Sequence, residues 1–153
     1  DFPDSAFLVS SAEWAAAIDQ GPLHGYVKRQ FDHAFDYRLL DFDGSDGNSY
    51  SGFGRSFDVF GDGSVRVVFT PGHTLGHMSV ILRLKRREVL LTGDAIYLER
   101  NLSDRHLPYR TEDDHLYMRS LREIELFKQQ SPDALIVPGH DMAHWQALAA
   151  SYE

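Results

Sequence analysis

Three times in this chain an apolar, β-rich run ends in a Gly turn that presents a His or an Asp. The stretches are Thr70-Pro71-Gly72-His73-Thr74-Leu75-Gly76-His77, Leu91-Thr92-Gly93-Asp94-Ala95-Ile96-Tyr97 and Val137-Pro138-Gly139-His140-Asp141. Imidazole nitrogen and carboxylate oxygen are zinc donors, and rigid strand ends hold such donors at fixed distances better than mobile loops do. The pattern therefore predicts strands that carry a metal site at their ends.

The rest of the chain supplies the frame. Ser10 and Glu13 make an S-x-x-E capping box ahead of Trp14 and an alanine run, which predicts a helix from about Ser11 to Gln20, stopped by Gly21-Pro22. Tyr26, Phe31, Phe35 and Leu39 recur at loosely helical intervals and predict a second helix over Tyr26 to Leu40. Asp41 to Gly54, rich in Gly, Asp and Ser, reads as a surface loop. From Ser56 the pattern turns to strands. Phe57 to Phe60 and Val65 to Phe69 flank the turn sequence Gly61-Asp62-Gly63-Ser64, and Met78 to Leu84 and Val89 to Leu91 form a second pair. A long helix follows from about Glu112 to Gln130, capped by Thr111 with Asp114 three residues on, its buried stripe marked by Tyr117, Leu121, Ile124 and Phe127. Leu135 to Val137 is a short buried strand. A mixed or antiparallel sheet covered by helices is an α/β layered design, and no repeat or second domain is visible.

In order, the stretches PGHTLGH, TGD and PGHD resemble the later motifs of the metallo-β-lactamase superfamily, whose usual sequence is H-x-H-x-D-H, then PGHTxGH, (T/S)GD and GH. The first motif does not occur: none of the eight His forms an H-x-H pair. The resemblance implies the C-terminal half of an αββα sandwich, one partial domain over residues 1–153 that begins just after the missing motif. It implies that His73, Asp94 and His140 are zinc ligands, with Asp94 bridging two ions, and that His77 has a structural role. It further implies that two Zn²⁺ per complete domain activate water for hydrolysis, and that this segment alone binds zinc weakly or not at all and is inactive. Tyr97, three residues past Asp94, matches the tyrosine that N-acyl homoserine lactonases of the superfamily direct at the substrate carbonyl, and Gly139-His140-Asp141 matches their last motif. The implied activity is lactone opening, with Tyr97 and Asp94 as catalytic residues.

Each residue also has a plainer reading. His73 alone is a turn histidine, Asp94 a capping residue, Tyr97 an amphipathic side chain closing a strand, and His140 one half of an H-x-x-x-H pair with His144. The implied rival functions are a thioester hydrolase resembling glyoxalase II, for whose C-terminal helical extension this chain has no room, and a non-catalytic half-domain.

Fifteen basic against 23 acidic residues give a net charge of −8, which disfavours nucleic acid or an anionic membrane surface as partner and leaves a small ester or lactone. No apolar run is long enough to span a bilayer, and Asp1-Phe2-Pro3-Asp4 does not open a signal peptide, so cytoplasmic location is the default expectation. Zero Cys excludes disulfides and thiolate ligands. The missing half is expected to leave apolar sheet surface uncovered and to favour self-association.

Overall fold

The computed structural model describes residues 4–32, 36–44 and 47–152. Strands β1 (Ala6–Ser10) and β2 (Asp36–Leu40) form a small parallel pair. The main sheet holds β3 (Asn48–Tyr50), β4 (Phe53–Asp58), β5 (Val65–Phe69), β6 (Met78–Arg83), β7 (Glu88–Leu91) and β8 (Leu135–Val137), side by side in sequence order. Helices α1 (Ser11–Gln20), α2 (Glu99–Ser103), α3 (Asp114–Gln130) and α4 (Met142–Ala147) complete the chain. Every neighbour in the main sheet is antiparallel except β7 with β8, which run parallel.

That single parallel step decides where the motifs go. Two antiparallel steps bring β7 back to the direction of β5, and the parallel step keeps β8 in it. The three strands therefore end at one edge of the sheet, and the turns that follow them emerge together.

The α3 stripe behaves as the sequence predicts. Tyr117, Leu121, Ile124 and Phe127 are buried against Phe53, Val68, Ile81 and Leu90 of the sheet. Burying an apolar side chain of this size contributes roughly 2 kcal/mol before entropy is counted. On the sheet's other face the pairing register aligns Val67, Val80, Leu91 and Val137 in one cross-strand row. That row is less covered: Leu91 is 37% exposed and Val80 half-buried.

Four expectations need correction. The helix over Tyr26 to Leu40 is replaced by a short 3-10 turn at Lys28–Gln30 and by β2. Its aromatic residues anchor separately rather than along one stripe. Tyr26 bonds Glu13, Phe31 packs on Trp14 at 6.0 Å, and pairing β2 with β1 sets Tyr37 against Trp14 at 4.7 Å and Phe7 at 5.6 Å. Phe35 lies outside the described residues, as do Asp1, Phe2 and Pro3. The loop over Asp41 to Gly54 contains β3 and the start of β4, joined by Ser51-Gly52. Both turn residues have positive φ (39° and 94°), as a two-residue hairpin turn with right-handed twist requires. Phe42, within the same stretch, is buried and stacked on Phe69 at 4.7 Å.

The α1 box is half formed. Ser10 Oγ accepts from Glu13 N at 3.0 Å, but the Glu13 carboxylate turns to the loop after β5, where it accepts from Thr74 Oγ1 at 2.6 Å and Gly76 N at 3.2 Å. Finally, α3 is capped by Asp113, which accepts from Leu116 N at 2.9 Å, while Thr111 bonds the Asp114 side chain.

Candidate metal and catalytic site

The turn after β7 and the turn after β8 are locked to one another by backbone. Thr92 N and Oγ1 both donate to Val137 O, at 3.1 and 3.0 Å. Gly139 N donates to Ile96 O at 2.8 Å and His140 N to Tyr97 O at 2.9 Å. These four bonds set Asp94 beside His140. The loop after β5 is held by α3, because Glu112 N and Asp113 N donate to Gly72 O at 2.9 and 3.1 Å, and buried Ser120 Oγ donates to Pro71 O at 2.7 Å.

All four residues singled out in the sequence meet at this edge. His73 Nε2 lies 3.1 Å from Asp94 Oδ2 and His140 Nε2 2.8 Å from Asp94 Oδ1, so each imidazole takes a different oxygen of one carboxylate. Tyr97 OH is 2.9 Å from His73 Nδ1. Because a carboxylate only accepts, the His140 Nε2 that bonds Asp94 Oδ1 carries the hydrogen. Burial first, and the Asp94 charge second, push the Tyr97 hydroxyl above its ordinary pKa, so it stays protonated at neutral pH. The His140 side chain is 58% exposed, against 26% for His73, which opens the site to solvent on the His140 side.

His77 turns inward. Its Nε2 accepts from Asp94 N at 3.1 Å, so its hydrogen is on Nδ1, which faces Thr70 Oγ1 at 2.9 Å and Thr70 O at 3.1 Å. Thr70 Oγ1 is 2.8 Å from Ser79 Oγ, and Ser79 Oγ donates to Thr92 O at 3.0 Å. The terminal carbonyl fixes the direction of the chain: Ser79 donates to Thr92 O, Thr70 donates to Ser79, and His77 donates to Thr70. Burial above all, with the neighbouring His73 second, lowers the His77 pKa and keeps it neutral, as its accepting Nε2 demands.

Composition and motif spacing did not single out Thr70 and Ser79 in this chain of bonds. The available signal was two hydroxyl residues beside runs rich in Val, Ile and Leu, Ser79 within β6 and Thr70 directly after β5. Ser79→Ala strips the buried Thr70 hydroxyl of its acceptor and Thr92 O of a donor. Unfolding free energy is expected to fall by about 1–3 kcal/mol in a urea titration, and an unchanged midpoint would refute the network.

His140 and His144 do not share a helical face. His140 precedes α4, whose N-cap is Asp141, and His144 Nε2 is buried without a hydrogen-bond partner among the described residues. Asp141 accepts from Glu99 N and His144 N, bonds that hold its carboxyl below the ordinary range.

Imidazole and carboxylate donors suit zinc in kind. In number they fall short. Among the described residues no group of three or more His, Cys, Asp or Glu side chains is disposed to hold one ion. The chain offers two pairs, His73 with Asp94 and His140 with Asp94, whereas catalytic zinc takes three protein ligands.

A helix-backed mixed sheet with His and Asp side chains converging at one edge places the chain among layered α/β proteins whose strand-end turns form the site. The family model for the metallo-beta-lactamase superfamily matches residues 15–140, and the chain belongs to that superfamily. It is 30% identical over 156 residues to the N-acyl homoserine lactonase AttM of Rhizobium johnstonii, covering 99% of this chain and 56% of that protein. It is 35% identical over 154 residues to the probable metallo-hydrolase Rv2300c of Mycobacterium tuberculosis, covering 92% of this chain and 49% of that one. Its fold matches the structure of an N-acyl homoserine lactone hydrolase with N-hexanoyl-L-homoserine bound at the catalytic metal center. That match has a TM-score of 0.77 at 23% identity, over 97% of this chain and 52% of the other. The chain thus spans about half the length of the curated relatives it matches.

Proposed function

We propose that this chain is the C-terminal half of a zinc-dependent hydrolase that opens a lactone of the N-acyl homoserine type. The observation that carries the proposal is the shared carboxylate: His73 and His140 address opposite oxygens of Asp94, and Tyr97 holds the other nitrogen of His73. Relatives named as N-acyl homoserine lactonases support the substrate class. His73 with one oxygen of Asp94 would hold one ion and His140 with the other oxygen a second. The remaining donors would come from polypeptide outside this chain, through the open His140 side.

Zinc, when bound, supplies activated water near neutral pH and polarises an ester carbonyl. The side chains of this half do the rest. With a cation held on its Nε2 side, a neutral His73 would carry its one hydrogen on Nδ1 and donate it to Tyr97 Oη, leaving the Tyr97 hydroxyl hydrogen for the substrate oxygen on which charge develops. The raised pKa of the hydroxyl keeps that hydrogen in place. Asp94 stays fixed because its own amide is held by His77.

Tyr97→Phe in the full-length protein is expected to lower kcat by about 10–100-fold at saturating zinc, with KM little changed, in a proton-release assay of lactone opening. Equal turnover by the variant would remove Tyr97 from the mechanism. Zinc-loaded full-length protein that opens no N-acyl homoserine lactone would overturn the functional reading itself.

A further inference from the structure

The segment that follows Tyr97 walls a cavity of about 690 Å³ that Tyr97 itself lines. Its shape is fixed from behind by one buried side chain. Asn101 Oδ1 accepts from Leu98 N at 2.7 Å, its Nδ2 donates to His106 O at 2.8 Å, and its backbone carbonyl accepts from His106 N at 3.1 Å. Leu98, Leu107 and Pro108 give the cavity apolar wall, and Arg100 and Arg110 stand on it. No carboxylate lines it among the described residues, in a chain whose net charge is −8.

The three arginines of this segment differ in what they do. Arg105, which does not line the cavity, is spent: Nε and Nη2 each donate to an oxygen of Glu125 at 2.9 Å. Arg100 and Arg110 have no ion pair among the described residues. In an acidic chain that pairs the neighbouring arginine, two exposed arginines without an ion pair among the residues that line one partly apolar cavity mark a place for an anion at the end of an aliphatic stem.

We propose that this cavity takes the far end of the substrate's acyl chain, and that this end is a carboxylate recognised by Arg100 and Arg110. The proposal rests on the lactone reading above and narrows it: the preferred lactone carries a short acyl chain that ends in a carboxylate rather than in a methyl group. Tyr97 belongs to both the catalytic edge and the cavity wall, so the reacting carbonyl and the anionic end are held by one continuous surface.

The test uses the full-length protein with zinc and two homoserine lactones of equal chain length, one with a terminal carboxylate and one with its methyl ester. The carboxylate form is expected to have a kcat/KM about tenfold higher, chiefly through KM, and the ratio is expected to fall to about one in an Arg100→Ala/Arg110→Ala double variant. Arg105→Ala should keep the tenfold preference. Equal kcat/KM for the two lactones, or a preference that survives the double substitution, would overturn the proposal. A second measurement is independent of turnover: calorimetric binding of hexanoate against the neutral hexanamide to the same protein. If neither lactone is opened but hexanoate binds about tenfold tighter in an Arg100- and Arg110-dependent way, the lactone reading fails and the anion site stands. If hexanoate shows no such advantage, the anion site fails.

Discussion

Asp94→Asn in the full-length protein is expected to abolish lactone opening to within about a thousandth of the parent kcat/KM, and to cut the zinc content from about two ions per chain to one or fewer. The size of the effect follows from the sharing. One carboxylate serves both His73, at 3.1 Å, and His140, at 2.8 Å, through separate oxygens. An amide keeps one acceptor oxygen and replaces the other with an N–H₂ group, which cannot bind a cation. On the proposed reading one substitution would damage both metal positions: one would lose its ligand, and the other the charge that balances two dications. The fold is expected to survive. Asp94 has a side chain 35% exposed, and a neutral imidazole can change tautomer to accept from an amide as readily as it donates to a carboxylate. The melting temperature of the metal-free protein should therefore move by no more than about 3 °C, within the range of ordinary surface changes. Elemental analysis, proton-release kinetics and a thermal melt on one preparation separate the alternatives. Zinc and turnover at the parent level would remove Asp94 from the centre, and a collapsed melt would show that its role is structural.

The candidate residues stood out in the sequence because their signal is local. Each of His73, Asp94 and His140 follows a Gly that ends an apolar run, and such punctuation survives without any knowledge of which strand lies beside which. That the three ends share an edge was legible only in part. It depends on β5, β7 and β8 running in one direction, and the parallel step from β7 to β8 needs the crossover through α3, which the long amphipathic pattern announces. The stretch from Tyr26 to Leu40 was misread for a related reason. Tyr26, Phe31 and Tyr37 belong to partners on α1 and β1, so their spacing obeys no single period, and the loose helical pattern was accidental. Glu13 shows the limit of local rules most plainly. Its position completes an S-x-x-E box, yet its carboxylate serves Thr74 and Gly76, more than 60 residues away. Nor does any period mark Thr70 and Ser79, whose hydroxyls matter through a chain of bonds that closes only once β5, β6 and β7 are paired.

Gly72→Ala is expected to cost about 3–5 kcal/mol of stability and to lower the melting temperature by about 10 °C. A Cβ at this position would lie 2.3 Å from Tyr117 N and Cα and 2.6 Å from Tyr117 Cβ, atoms of the α3 backbone or fixed to it. None belongs to the tip of a flexible side chain, so relief requires the loop and the helix to part. Parting breaks the bonds that tie them: Glu112 N and Asp113 N to Gly72 O, and Ser120 Oγ to Pro71 O. Tyr117 is 1% exposed and its neighbours along the stripe are equally closed in, so α3 cannot yield without opening the core. The backbone adds to the cost, since φ at Gly72 is +134°, a region that L side chains rarely enter. Gly61→Ala is the comparison that separates the two causes. It too has positive φ, +75°, but nothing lies within 4 Å of its Cβ direction, so its loss should stay near 1 kcal/mol. Thermal melts of the two variants beside the parent decide the matter: equal losses would place the whole effect in the backbone, and a Gly72→Ala melt within about 2 °C of the parent would show that loop and helix do not meet this closely. His73 is the next residue in the chain, so a variant that folds with the loop displaced should carry the displacement to His73 and, on the proposed reading, weaken zinc binding.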